Sequence, residues 1–225
     1  MKWLRARLSF GYGGWRGLGK AAVLALGLSA APSWADEVVI AALGDSLTQG
    51  YGLPVDEGFV PQLEAWLQAR GHEVRLINAG VSGDTTAGGL ARIGWTLTDD
   101  VQALIVALGG NDLLRGLPPE AARANLAGIL DAAAEAGVEV LLIGMEAPLN
   151  YGPDYKAAFD AIYPELAAEH GTLFVESFLA PVVTAPDVQA MMQADGIHPN
   201  AEGVALIVGA IAIEVEALIA RVQQP

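Results

Sequence analysis

Val38-Val39-Ile40-Ala41-Ala42-Leu43 is an unbroken apolar run of strand length, and no other stretch narrows the possible folds so far. A strand with one face in water alternates apolar and polar side chains. A strand with no polar position has to be covered on both faces. The run stops at Gly44-Asp45-Ser46, and further strand-like runs, mostly apolar, recur at Glu73–Ile77, Val101–Leu108, Val138–Ile143 and, shorter, Thr172–Val175. Helical spacing fills the intervals. Leu63, Trp66 and Leu67 form one stripe of a helix over Gly58–Arg70, with Gly71 as its stop. A second helical interval follows residue 84 and runs to about Leu97, and a third runs from Pro118-Pro119-Glu120 to Ala136. A fourth is expected over Asp154–His170, and a last one, capped by Asn200, reaches about Val222. Strands alternating with helices build right-handed βαβ units. The expected fold is therefore α/β: a parallel sheet between two helical layers, in one domain.

The first 35 residues stand apart. They carry Lys2, Arg5, Arg7, Arg16 and Lys20 and no acid, then the uncharged run Ala21–Ala31, then Ser33-Trp34-Ala35. A basic segment, a short apolar segment and a small-x-small site are the parts of a secretory signal peptide. The apolar run is too short for a bilayer, which takes about 20 residues. The reading is a leader over 1–35, cleaved after Ala35, and a domain over 36–225 that is periplasmic or secreted. A buried N-terminal helix or a retained anchor would be the alternative.

Beyond residue 35 stand all 26 acids and only seven Lys and Arg, a formal charge of −19. Such a surface repels nucleic acid and anionic headgroups, so a polyanion-binding role is not expected. The expected partner is a small-molecule substrate, with no stable membrane insertion once the leader is gone. The residues leave the oligomeric state open, a monomer being the simpler expectation. There is no cysteine, which excludes a thiol nucleophile, a disulfide framework and Cys-ligated metal.

Ligands of open α/β sheets bind at the carboxyl ends of the strands. The polar clusters fall there: Gly44-Asp45-Ser46, Gly80 to Asp84, Gly109 to Asp112, and after the last strand Asp195-Gly196-Ile197-His198-Pro199. Acyl transfer needs a nucleophile, a base, an orienter for the base and donors for the developing oxyanion. Ser46 follows a strand end directly, His198 is the best-placed base, and Asp195 lies three residues before it on the same turn. The main-chain N–H groups of Ser46 and Gly83 and the side-chain amide of Asn111 can form the oxyanion hole. Gly83 leaves the approach open because it has no Cβ.

Gly44-Asp45-Ser46-Leu47, Gly83, Gly109-Gly110-Asn111-Asp112 and Asp195 to Pro199 resemble, in order, the four blocks of the SGNH (GDSL-type) hydrolases. GDSLTQGYGL, NDLLRG, Asn150-Tyr151-Gly152 and Ala161 to Pro164 narrow the resemblance to the bacterial arylesterase, acyl-CoA thioesterase I and lysophospholipase L1 group. It implies a three-layer αβα, flavodoxin-like fold with five parallel strands ordered 2-1-3-4-5. It also implies ester or thioester hydrolysis through an acyl-serine, with lysophospholipids among the candidate substrates. Ser46 would be the nucleophile, His198 the base, Asp195 its orienter, and Ser46, Gly83 and Asn111 the oxyanion donors. No metal and no cofactor are implied. Met145 to Leu149 is the main local peculiarity and is expected to border the acyl pocket.

Two other functions fit the same polar strand ends. A metal-dependent phosphoesterase would need several His ligands, and only His198 is well placed. A non-catalytic binding module would lack a member of the machinery. His72 and His170 adjoin helix stops and read as structural, as does Asp112. Asp45 and Asp84 read as stabilising their loops. Trp66, Trp95 and Phe159 read as core or pocket wall.

Overall fold

A computed structural model describes residues 37–224 continuously, with Gly11 alone outside that range. The expected leader, its cleavage point and Asp36 lie outside the described residues. Five strands form the sheet: β1 (Val38–Gly44), β2 (Val74–Gly80), β3 (Ala103–Ala107), β4 (Glu139–Ile143) and β5 (Leu173–Val175). They run parallel in the order β2-β1-β3-β4-β5. All seven residues of β1 are buried, as its lack of polar positions demands.

Nine helices accompany the strands among the described residues. They are α1 (Ser46–Gln49), α2 (Phe59–Ala69), α3 (Thr86–Thr96), α4 (Gly110–Leu114), α5 (Pro119–Glu135), α6 (Pro153–Asp160), α7 (Ile162–His170), α8 (Ala180–Val183) and α9 (Ala201–Val222). Helices α2, α8 and α9 pack together, and α3, α5, α6 and α7 form a second group. Helix α9 is long and apolar enough to cross a membrane by length and composition. It instead buries Val204, Ile207, Ile211, Val215 and Leu218 in the core, and Glu216 takes Arg70 and His72 as partners on its outer side.

Two expectations need correction. The single helix over Asp154–His170 is two helices that break at Ala161. Pro164 is the cause: it has no N–H for the carbonyl of Asp160, and its ring crowds that carbonyl. Trp95 is neither core nor pocket wall but is 89% exposed. It lies two residues beyond buried Ile93, about 200° round the helix, so α3 turns it to water.

The parallel register sets the rim where the site is built. Gly44 pairs with Gly80 on one side and Ala107 on the other, so three strands end level. Gly80 is required there, since a Cβ would strike the backbone of Gln49 in α1. Gly109 turns the chain from β3 into α4 at φ +120°, a conformation costly for other residues, with the hydroxyl of Tyr163 where a Cβ would stand.

Candidate active site

Ser46 is the first residue of α1, directly after β1, and Asp45 caps that helix by accepting the Leu47 N–H at 3.0 Å. From the other end of the chain, the loop before α9 turns at Gly196 and pairs Met192 with Pro199. That turn carries Asp195 and His198. His198 Nε2 lies 2.8 Å from Ser46 Oγ, and His198 Nδ1 lies 2.7 Å from Asp195 Oδ2. The other oxygen of Asp195 accepts the main-chain N–H groups of Ile197 at 2.9 Å and His198 at 3.0 Å. The three side chains form one continuous relay.

The two aspartates of the site are tuned in opposite directions. The N–H of His198, its ring and the N–H of Ile197 all favour the anion and hold Asp195 down at about 2. Burial dominates at Asp45, only 2% exposed, and pushes it up to about 6. The Leu47 N–H and the Asn111 amide oppose that rise.

Asn111 lies in α4, and its Nδ2 donates to Asp45 Oδ2 at 3.2 Å. One hydrogen of the amide is thereby committed, leaving the other for a ligand. Gly83 sits in the turn after β2 at φ +83°, a turn closed by Asp84 N–H on Val81 O at 3.0 Å. Val81 N–H donates to Gly44 O at 3.1 Å and Ser82 Oγ to Gln49 Oε1 at 2.5 Å, which fastens this turn beside α1.

The model of the GDSL-like Lipase/Acylhydrolase family matches residues 42–206, a span that includes every residue of the relay. The chain belongs to that family. It is 46% identical over 158 residues to Esterase TesA of Pseudomonas aeruginosa, covering 70% of this chain and 77% of that protein. It is 37% identical over 186 residues to Thioesterase 1/protease 1/lysophospholipase L1 of Escherichia coli, covering 82% and 86%. Among solved structures it resembles AlinE4, an SGNH-hydrolase family esterase, with 44% identity, a TM-score of 0.69 and coverage of 86% of this chain and all of the other.

In this GDSL-like acylhydrolase a groove of about 380 Å³ opens beside Ser46, Asn111 and His198. Its apolar walls include Leu113, Leu114, Met145, Pro148, Leu179 and Ile197, so Met145 to Pro148 border this groove. The remaining sequence candidates lie away from the relay. Asp112 is buried and accepts the N–H and hydroxyl of Thr86 at 2.9 and 2.7 Å, tying α4 to α3. Asp84 pairs with Arg92 at 2.6 Å. His72 meets Glu216 at 3.0 Å, and His170 stands 3.8 Å from Asp131. Among the described residues, no three His, Cys, Asp or Glu side chains are grouped to hold a metal ion.

Sequence reasoning missed three supports. Arg92 donates to Asp84, to Ala79 O at 2.6 Å and to Gly44 O at 2.9 Å, clamping the ends of β1 and β2 under the Gly83 turn. A lone arginine amid the Gly- and Ala-rich turns of α3 was its only signal. Gln193 Nε2 bridges Tyr51 O at 2.8 Å and Pro199 O at 3.0 Å, stitching the loop of His198 to that of Ser46. The Tyr51 ring lies 4.7 Å from the His198 ring, tilted by 38°. Nothing local in the sequence marks Gln193, and Tyr51 lies within the GDSLTQGYGL string with no role of its own read for it.

Proposed function

We propose that this chain hydrolyses carboxylic esters and thioesters through an acyl intermediate on Ser46. Family and relatives make it a carboxylic ester hydrolase; the proposal adds the roles of its residues. The carrying observation is the unbroken Ser46–His198–Asp195 relay at 2.8 and 2.7 Å. As Ser46 Oγ bonds to the substrate carbonyl carbon, its proton passes to His198 Nε2, and Asp195 stabilises the imidazolium that results. The carbonyl oxygen becomes an anion held by the N–H of Ser46, the N–H of Gly83 and the free N–H of Asn111. Collapse breaks the bond to the alcohol or thiol, which leaves with the proton from Nε2. A water then gives its proton to Nε2 as it attacks the acyl carbon, and the acid and a free serine are released.

The apolar groove beside Ser46 suits the acyl portion, which favours aryl esters and short-to-medium acyl esters, with lysophospholipids as a further class. Labelling with a fluorophosphonate probe followed by peptide mapping tests the nucleophile. We expect modification of Ser46 alone, and Ser46→Ala should lower kcat on p-nitrophenyl acyl esters by roughly 10⁴ to 10⁶. Labelling elsewhere, or full activity in that variant, would overturn the assignment.

The proposed place of work is the periplasm or the exterior, with residues 1–35 removed as a leader. The basic, apolar and small-x-small segments before Asp36 support this reading. Intact-mass measurement of protein recovered from a bacterial periplasm should give a chain starting at Asp36. A chain retaining the first 35 residues would refute it.

A further inference from the structure

Seven Lys and Arg face 25 carboxylates among the described residues, so a cation on this surface finds an anionic neighbour easily. Six of the seven have a carboxylate within 4.0 Å: Arg70, Arg75, Arg92, Arg123, Lys156 and Arg221. Arg115 is the exception among the described residues. It is exposed, and its one side-chain hydrogen bond runs from a terminal guanidinium nitrogen to Gly83 O at 2.7 Å.

Its position is as informative as its lack of a partner. Arg115 closes α4, its N–H on Asn111 O at 3.2 Å, so it follows Asn111 by four residues. Residues so spaced share a helix face, about 5–6 Å apart. Arg115 therefore leaves the helix one turn after Asn111, and its guanidinium is tied to the turn that carries Gly83. A Cβ built at Gly83 would have the guanidinium at 3.7 Å as its neighbour. Leu113 and Leu114 line the apolar groove, whereas Arg115 does not.

We propose that Arg115 is a subsite for an anionic group, a carboxylate or phosphate, on the alcohol portion of the ester. This rests on the reading of Ser46 as nucleophile and deepens it. The groove takes the apolar acyl half, and the half that leaves with the proton from His198 lies outside it. Elsewhere the acidic surface repels such a substrate, and Arg115 offers it free donors. A planar guanidinium anchored through one nitrogen keeps the rest of its fork for two oxygens, and the anchor removes part of the ordering cost.

Butyrate esters of matched phenols test it: a neutral 4-(methoxycarbonyl)phenyl ester, a 4-carboxyphenyl ester and a 4-phosphatophenyl ester. In Arg115→Gln the ratio of kcat/KM for an anionic ester to that for the neutral one should fall about five- to tenfold from its wild-type value. The anion with the larger fall is the preferred one. Arg115→Glu should carry the ratio lower still and favour a 4-(trimethylammonio)phenyl ester over the neutral ester. If Arg115 served only to hold the Gly83 turn, all esters would slow together and every ratio would stay at its wild-type value. That result would overturn the subsite and leave the acyl-serine reading intact. Failure of the wild type to hydrolyse even the neutral ester would instead strike at the acyl-serine reading.

Discussion

The loop after β1 and the loop before α9 each bring one aspartate to the site, and the two are built on opposite physical terms. Asp45 is walled into the protein, with its oxygens on the Leu47 N–H and the Asn111 amide. Asp195 stands at the surface, its side chain 37% exposed, with both oxygens engaged by His198 and Ile197. Burial without enough donors raises the first to about 6, while three donors at the surface lower the second to about 2. A carboxylate that must stay charged to orient an imidazolium is best kept wet and well donated. A carboxylate that fixes a single amide can be buried, at a cost in stability.

The largest blow to this pairing is Asp195→Asn. The amide cannot hold His198 in the tautomer that accepts the Ser46 proton, and kcat should fall about 10⁴-fold. A loss below tenfold, measured on p-nitrophenyl butyrate, would show that the surface aspartate does not orient the base. Asp45→Asn should cost less, on the order of 10² to 10³ in kcat with KM little changed. Asparagine can still cap Leu47, but it presents an N–H where Asn111 needs an acceptor, so the Asn111 amide turns or loses its hold. The double variant with Asn111→Ala should then be barely slower than either single variant. Additive losses would mean that Asp45 acts by another route.

The smallest effect is on stability, and its sign separates the two regions. Asp45 binds its proton more tightly folded than unfolded, 6 against 3.8. Its charge therefore burdens the native state, and stability falls as pH rises from about 4 through 6. Removing that charge in Asp45→Asn should stabilise the protein above pH 7 by up to about 3 kcal/mol. Asp195 has the opposite sign: depressed to about 2, it supports the fold above pH 4 and loses that support as pH falls through 2. Thermal melts of both variants against wild type from about pH 2 to 8 would show whether the two slopes oppose each other.

How far each region could be read in the sequence follows from how local its physics is. Covered strands and the helix stops at Gly71, Gly137 and Gly171 are set by near neighbours, and they emerged within a residue or two, except that β2 runs three residues past the expected Ile77 to Gly80. Asp195 and His198 share one turn, and Ser46 follows its strand, so each half of the relay was visible. Trp95 was misjudged because residue type was weighed above its place two positions from Ile93. The break at Ala161 was missed although Pro164 announces it.

The sequence by itself determined the parallel α/β architecture, the polar loops at the strand ends, and the residue types able to perform acyl transfer. Only the folded chain decided which carboxylate is buried, which arginine clamps two strands and which is left without an acid. These depend on groups 13 to 66 positions apart, such as Arg92 with Ala79, Arg115 with Gly83 and Asn111 with Asp45. Burial and hydrogen bonding are properties of the assembled surroundings, and no local stretch of chain contains them.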